Sequence, residues 1–218
     1  MICATKQDID GMIKAGAVVR DALLYAETLI RPNISTLELD KKLEKFIIDK
    51  GAIPSFLNYE GYPNSICASV NEMVVHGIPS EDIILKEGDI ISIDIGAILD
   101  GYNGDAARTF AVGGITPEKQ KLIDVTKQFF FEGISKLKIG ARLGELSNAI
   151  QTYAESFGYG VVRELVGLGI GHKMHEAPEV PNYGPKSSGM HIKNGLCIAV
   201  EPMINMGSRY VRIKDDGW

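Results

Sequence analysis

The chain has 218 residues, 45% apolar and 23% charged, which suits one large domain or two small ones with a real core. A net charge of −5 without a basic run argues against nucleic-acid specificity. No apolar stretch is long enough to span a membrane, and the N-terminus lacks a signal-peptide pattern. Three cysteines, Cys3, Cys67 and Cys197, are far apart with no close pair. They speak against a disulfide framework or zinc finger and for a reducing cytoplasm.

Residues 6–30 read as an amphipathic helix presenting Ile9, Met12, Ile13, Ala17, Leu23, Leu24, Ala26 and Leu29. Ser35-Thr36-Leu37-Glu38 offers a cap for a second helix to Lys50, with Gly51 as its stop. Residues 52–80 read as loop and short strand. Ile90 to Phe110 then alternates as a hairpin around Asp100-Gly101. A third helix starts at Thr116-Pro117-Glu118 and runs to about Lys136; a fourth spans Leu143 to Phe157. Beyond Val161 the chain returns to strand and loop, with Leu196 to Val200 as a buried strand leading into Glu201. Gly-Leu-Gly-Ile-Gly at 167–171 does not have the spacing of a dinucleotide loop.

The hairpin carries two acids. With a two-residue turn at Asp100-Gly101, Asp94 lies opposite Ala107 and Asp105 points to the same face. A three-residue loop would put the two acids on opposite faces. Paired half-buried carboxylates call for a shared proton or a shared cation. The competing reading is a strand-edge acid and an unrelated turn acid.

The halves of the chain match at a constant offset of 107 residues. Glu38-Leu39 recurs as Glu145-Leu146, Leu43 as Ile150, Gly51 as Gly158, Lys86 as Lys193, Gly88 as Gly195 and Asp94 as Glu201. A duplicated helix-helix-strand unit is expected, with pseudo-repeats at about 6–115 and 116–218 in a single catalytic domain. Each half supplies an acid at the same strand position, which favours the cation reading. The second repeat has no counterpart of the Asp105 strand before Trp218, so a truncated form of a longer chain is expected. His175 adds one imidazole to three strand carboxylates, a donor set suited to divalent Mn, Fe, Co or Zn. Two such cations would let three acids share one cavity and would suit amide hydrolysis. His76 reads either as loop packing or as a proton donor at the rim.

The motifs Asn71-Glu72, His76-Gly77-Ile78-Pro79, Asp94-Ile95-Gly96, Gly101-Tyr102-x-Gly104-Asp105, Arg108-Thr109-Phe110, His175-Glu176-x-Pro178 and Glu201-Pro202-Met203 together resemble a type I methionine aminopeptidase over essentially the whole chain. The resemblance implies an α/β (α+β) pita-bread fold of the creatinase/aminopeptidase type, with a pseudo-twofold antiparallel sheet flanked by helices. It implies two divalent metal ions (Co, Mn, Fe or Zn) held by Asp94, Asp105, His175 and Glu201. It further implies metal-hydroxide attack that removes the initiator Met from nascent polypeptides. Glu201 would assist proton transfer, and His76 would contact the substrate amide or leaving nitrogen. Phe56, Tyr59, Tyr62, Cys67 and Trp218 would line the methionine pocket, whose plain alternative is aromatic packing. A cytoplasmic monomer is expected, with nascent chains as substrates and the ribosome surface as a further partner.

Departures from the family pattern are specific. A fifth ligand, a Glu in a C-terminal strand, is not reached, so weak or absent activity is expected for the 218-residue chain. Leu168 and Glu60 stand where histidines are usual. Asn182 occupies the position of a substrate-binding His and can donate a hydrogen bond but not carry a proton. A proline-specific peptidase of the same fold and a catalytically inactive binding protein of the same fold are the alternatives.

Overall fold

In the computed structural model, which describes every residue except Asp216, Thr5 caps the first helix. The Thr5 hydroxyl accepts from the Asp8 amide at 3.1 Å, and the Asp8 carboxylate accepts from the Thr5 amide at 3.0 Å. Asp216, within the terminal run 215–218, lies outside the described residues. Two units separate. One holds Thr5–Gln120 with His172–Met174 and Lys214–Trp218; the other holds Met1–Ala4, Lys121–Gly171 and His175–Ile213.

In the first unit, α1 (Lys6–Leu29) buries Gly11, Ala15, Val18, Val19, Ala22, Leu23 and Ala26. Leu23 and Ala26 are buried as expected, but the rest of the expected apolar face is corrected: Ile9, Ile13 and Leu24 are 47%, 65% and 51% exposed. The reason is close approach. A β-carbon on Gly104 would stand 2.7 Å from the Ala15 carbonyl group, so small residues stand where helix and sheet come closest, and Val18, Val19 and Leu23 pack beyond that point. Gly104→Ala is expected to cost about 3 kcal/mol, the upper part of the overpacking range, because backbone cannot swing aside. Calorimetry should show Tm lower by about 6–12 °C; an unchanged Tm would refute the backbone contact.

Helix α2 (Thr36–Asp49) starts at Ser35, whose hydroxyl accepts from the Glu38 amide at 3.1 Å. It stops at Gly51, whose φ of 77° favours glycine. Leu39, Leu43 and Ile47 are fully buried. From the same helix the buried Asp40 carboxylate accepts from the amides of Ser65 and Ile66 at 2.9 and 3.1 Å. That fixes the start of the next strand. Strands β1 (Ile53–Pro54), β2 (Ile66–Val70), β3 (Ile90–Leu99) and β4 (Tyr102–Ala111) form an antiparallel sheet. β4 pairs with one edge of β3, while β1 and β2 share the other edge end to end. Ile91, Ile93 and Ile95 are fully buried in the core with residues of α1 and α2. Period-two alternation therefore turns Ser92, Asp94 and Gly96 to the opposite face.

In the second unit, α3 (Pro117–Ile134) packs on α4 (Leu143–Ser156) through Phe129 and Gly133. A β-carbon on Gly133 would lie 2.7 Å from Ile150. Strand β5 (Gly160–Val161) pairs with β9 (Ile204–Asn205). β6 (Gly167–Gly169) lies between β7 (Glu176–Val180) and β8 (Ile198–Ala199). The buried strand expected over Leu196–Val200 is only β8, and it is half-buried. It is the edge of its three-stranded sheet, so pairing on one side limits its length.

Backbone contacts recur at the offset of 107. The bridge Ser35–Ile84 has Arg142–His191 as its counterpart. The bonds Asn33 N–H to Leu85 O and Leu85 N–H to Ile34 O match Gly140 N–H to Ile192 O and Ile192 N–H to Ala141 O. Ile53 opposite Ile98 matches Gly160 opposite Asn205.

Candidate active site

The β3–β4 hairpin places the two acids of the first unit. Leu99 pairs with Tyr102, and Asp100 and Gly101 between them have φ of 52° and 80°. Two successive positive φ values are those of a type I′ turn, which Asp-Gly favours. The register puts Asp94 opposite Ala107 and Asp105 opposite Gly96, so both acids share a face. Their carboxyl groups are hydrogen-bonded to each other. Burial pushes Asp94 up to about 6, while hydrogen bonds from Asp105 and the Ile95 amide pull the other way. Two adjacent half-buried carboxyls need a proton or a cation between them, and hard oxygen donors of this kind suit a divalent ion.

An apolar cluster adjoins them in the same unit. Phe56, Tyr62, Cys67 and Met174 are buried, with Tyr59, Ile78 and Trp218 packed against them. Cys67 stands opposite Asp94 in the β2–β3 register, so the cluster borders the acid pair. Gly96 makes room for this wall: a β-carbon there would clash with Ser55 and would stand 2.5 Å from the Phe56 ring. Burial raises the pKa of both the Cys67 thiol and the Tyr62 phenol. The Tyr62 hydroxyl donates to the carbonyls of Ile66 and Gly77, each at 3.0 Å, which fixes the ring. Tyr62 meets Trp218 edge-on with ring centroids 5.0 Å apart, and His76 meets the same indole at 5.7 Å. Five of these residues were expected in the pocket. Met174 and Ile78 were not, because both sit in loops without periodicity. Met174's only sequence signal is an unbranched apolar side chain between His172 and His175.

His76 is held by backbone. Its φ is 56°, in the left-handed region that few side chains favour. Next to it, Gly77 lies against the carbonyl of Ala68, where no β-carbon fits. The Gly77 amide donates to the Ser69 hydroxyl at 3.0 Å, and its carbonyl accepts from the Ala68 amide at 2.8 Å. The imidazole is thus anchored to β2 and turned to Trp218. His172, on the segment that brings Met174 to the cluster, has Nδ1 2.9 Å from the Gly101 carbonyl and its ring 4.5 Å from that of Tyr102.

The second unit holds His175, exposed just before β7, and Glu201, half-buried just after β8. Asn182 is fully buried there and donates its amide to the Glu201 carbonyl at 2.7 Å. Leu168 lies in β6 opposite Ala199. Glu60 lies in a single helical turn of the first unit, Tyr59–Gly61, with φ of 49°. Among the described residues, no three His, Cys, Asp or Glu side chains form a group able to hold a metal. Asp94 and Asp105 are paired in the first unit; His175 and Glu201 belong to the second. In the second unit the sulfurs of Cys3 and Cys197, 194 residues apart in sequence, lie 3.3 Å from each other, and both are free thiols.

The model of metallopeptidase family M24 matches residues 10–217. The chain is 51% identical over 218 residues to the methionine aminopeptidase of Clostridium acetobutylicum, covering all of this chain and 87% of that one. It is 50% identical over 220 residues to methionine aminopeptidase 1 of Bacillus subtilis, covering all of this chain and 88% of that one. It superposes on the crystal structure of methionine aminopeptidase from Rickettsia prowazekii with a TM-score of 0.97 at 41% identity, covering all of this chain and 88% of that one. The fold is therefore the mixed α/β pita-bread fold of the metal-dependent peptidases. Within that class, the chain belongs to metallopeptidase family M24, among its methionine aminopeptidases.

Proposed function

We propose that this chain removes the N-terminal methionine of polypeptides in a divalent-metal-dependent hydrolysis. The observation that carries the reading is the hydrogen-bonded pair Asp94–Asp105 bordering an apolar cluster that includes Cys67, Tyr62 and Met174, in a chain of this family. The residues that would hold two divalent ions (Co, Mn, Fe or Zn) are Asp94, Asp105, His175 and Glu201, four oxygen- and nitrogen-donor side chains. Bound there, the ions supply a water acidified toward neutrality and a polarised carbonyl.

The chain's own residues do the rest. Phe56, Tyr59, Tyr62, Cys67 and Trp218 accept the methionine side chain, whose unbranched thioether suits an apolar, polarizable wall. His76 donates a hydrogen bond to the substrate amide or leaving nitrogen. Glu201 moves a proton to that nitrogen, and Asn182 holds the Glu201 backbone while lining the substrate side. The repeated backbone bonds at an offset of 107 support a duplicated unit, with repeats at about 6–115 and 116–218 in one catalytic domain. A monomer acting in the cytoplasm on nascent chains, at or near the ribosome surface, fits this role.

The test is direct. The purified chain with Mn(II) and a Met-Ala-Ser peptide should release free methionine, and a chelator should stop it. The absence of both metal binding and methionine release would overturn the reading, whereas metal bound with weak release would fit the departures from the family pattern.

A further inference from the structure

The start of the chain lies antiparallel to the segment before β8. Ile2 bridges Leu196, the Cys3 amide donates to the Gly195 carbonyl at 2.7 Å, and the Cys197 amide donates to the Met1 carbonyl at 2.9 Å. In that register Cys3 is opposite Gly195, and Cys197 is the next residue on the same face. Gly195 has no side chain to separate them, and a β-carbon there would strike the Cys3 carbonyl. The two sulfurs therefore meet at 3.3 Å across 194 residues of sequence. Cys3 is buried and Cys197 half-buried, and both are thiols. A disulfide needs about 2 Å between sulfurs, so closure draws the two sulfurs together by about 1 Å, with the one-residue bridge that carries Cys3 adjusting to bring the diagonal pair into range.

We propose that Cys3 and Cys197 form a reversible oxidation site, closed to a disulfide by hydrogen peroxide. The more accessible Cys197 sulfur attacks one peroxide oxygen. The O–O bond breaks, water leaves, and Cys197 becomes a sulfenic acid. The Cys3 sulfur then attacks the Cys197 sulfur; the S–O bond breaks, the S–S bond forms, and a second water leaves. Two S–H bonds and one O–O bond are consumed for one S–S bond and two waters; the sulfurs are oxidised and the peroxide reduced. Burial and the adjacent Cys3 thiol push Cys197 up to about 11, so Cys197 rests as a thiol at neutral pH and responds to sustained, not trace, peroxide. Closure ties residues 1–3 to the segment that leads to β8. It also spares Cys197 irreversible over-oxidation, because Cys3 resolves the sulfenic acid first.

The test uses the full chain. After peroxide treatment, titratable thiols should fall from three to one, and unreduced digests should contain a Cys3–Cys197 cross-linked peptide. Tm should rise by about 5 °C or more, as for a long closed loop, and dithiothreitol should reverse all three changes. Phenylarsine oxide, which bridges only adjacent thiols, should bind the reduced chain once, and Cys3→Ser should abolish that binding. Retention of three thiols at peroxide doses that oxidise exposed methionines would overturn the proposal. So would cross-links through Cys67, or arsenical binding that survives Cys3→Ser. The wild-type measurements decide even if the variant fails to fold.

Discussion

Asp94→Asn is expected to lower kcat/KM for Met-Ala-Ser by about 10³-fold or more. A cation's charge stabilisation in the transition state is worth several kcal/mol, and about 4 kcal/mol is three powers of ten. The amide keeps the shape of the carboxylate but gives up its charge beside Asp105. The same variant has a readout that needs no turnover. In the folded chain burial raises Asp94 from 3.8 to about 6, so the folded state binds more protons than the unfolded state between those values. Asp94's own contribution to the stability of the metal-free wild type then falls as pH rises from about 4 to 6. Asp94→Asn removes this group, so its metal-free stability should be flatter over that window. Added Mn(II) should stabilise the wild type more at pH 7 than at pH 5, because the ion competes with the proton. Urea titrations of chelated and metal-loaded protein at several pH values measure this. Activity within tenfold of wild type, or equal Mn(II) affinity in the variant, would remove Asp94 from the site.

How much of this was legible depended on whether local chemistry or tertiary approach decided the outcome. The Asp94–Asp105 face was readable because Asp100-Gly101 dictates the turn, and the turn dictates the register. The Ser35 cap and the Gly51 stop were readable for the same reason. The buried face of α1 was not. Apolar periodicity points to Ile9 and Ile13, yet Gly104 draws the backbone of Ala15 so close that only small residues fit at that point. The aromatics Phe56, Tyr59, Tyr62 and Trp218 were singled out by the family resemblance, whereas Met174 joins their cluster through a three-residue excursion, His172–Met174. That excursion has no signature in the chain. The Cys3–Cys197 contact joins residues 194 apart through a bridge one residue long, beyond any pattern of period or spacing. Glu201 was singled out because a repeat search compares the chain with itself, which needs no knowledge of packing.

His76→Ala should lower kcat by about 10²–10³-fold with a smaller change in KM, the range for losing a positioned proton-transfer or hydrogen-bonding group. The backbone favours this reading over loop packing. A residue at φ 56° beside a glycine pressed on the Ala68 carbonyl is held in a conformation that costs of order 1–3 kcal/mol. Packing alone would be served as well by a relaxed residue on the Trp218 edge. His76→Asn separates the two roles. Asparagine tolerates the left-handed region and still donates a hydrogen bond, so it should keep the wild-type Tm and recover part of the lost kcat. If the imidazole only packs on Trp218 at 5.7 Å, both variants should shift Tm together and leave kcat within about threefold of wild type.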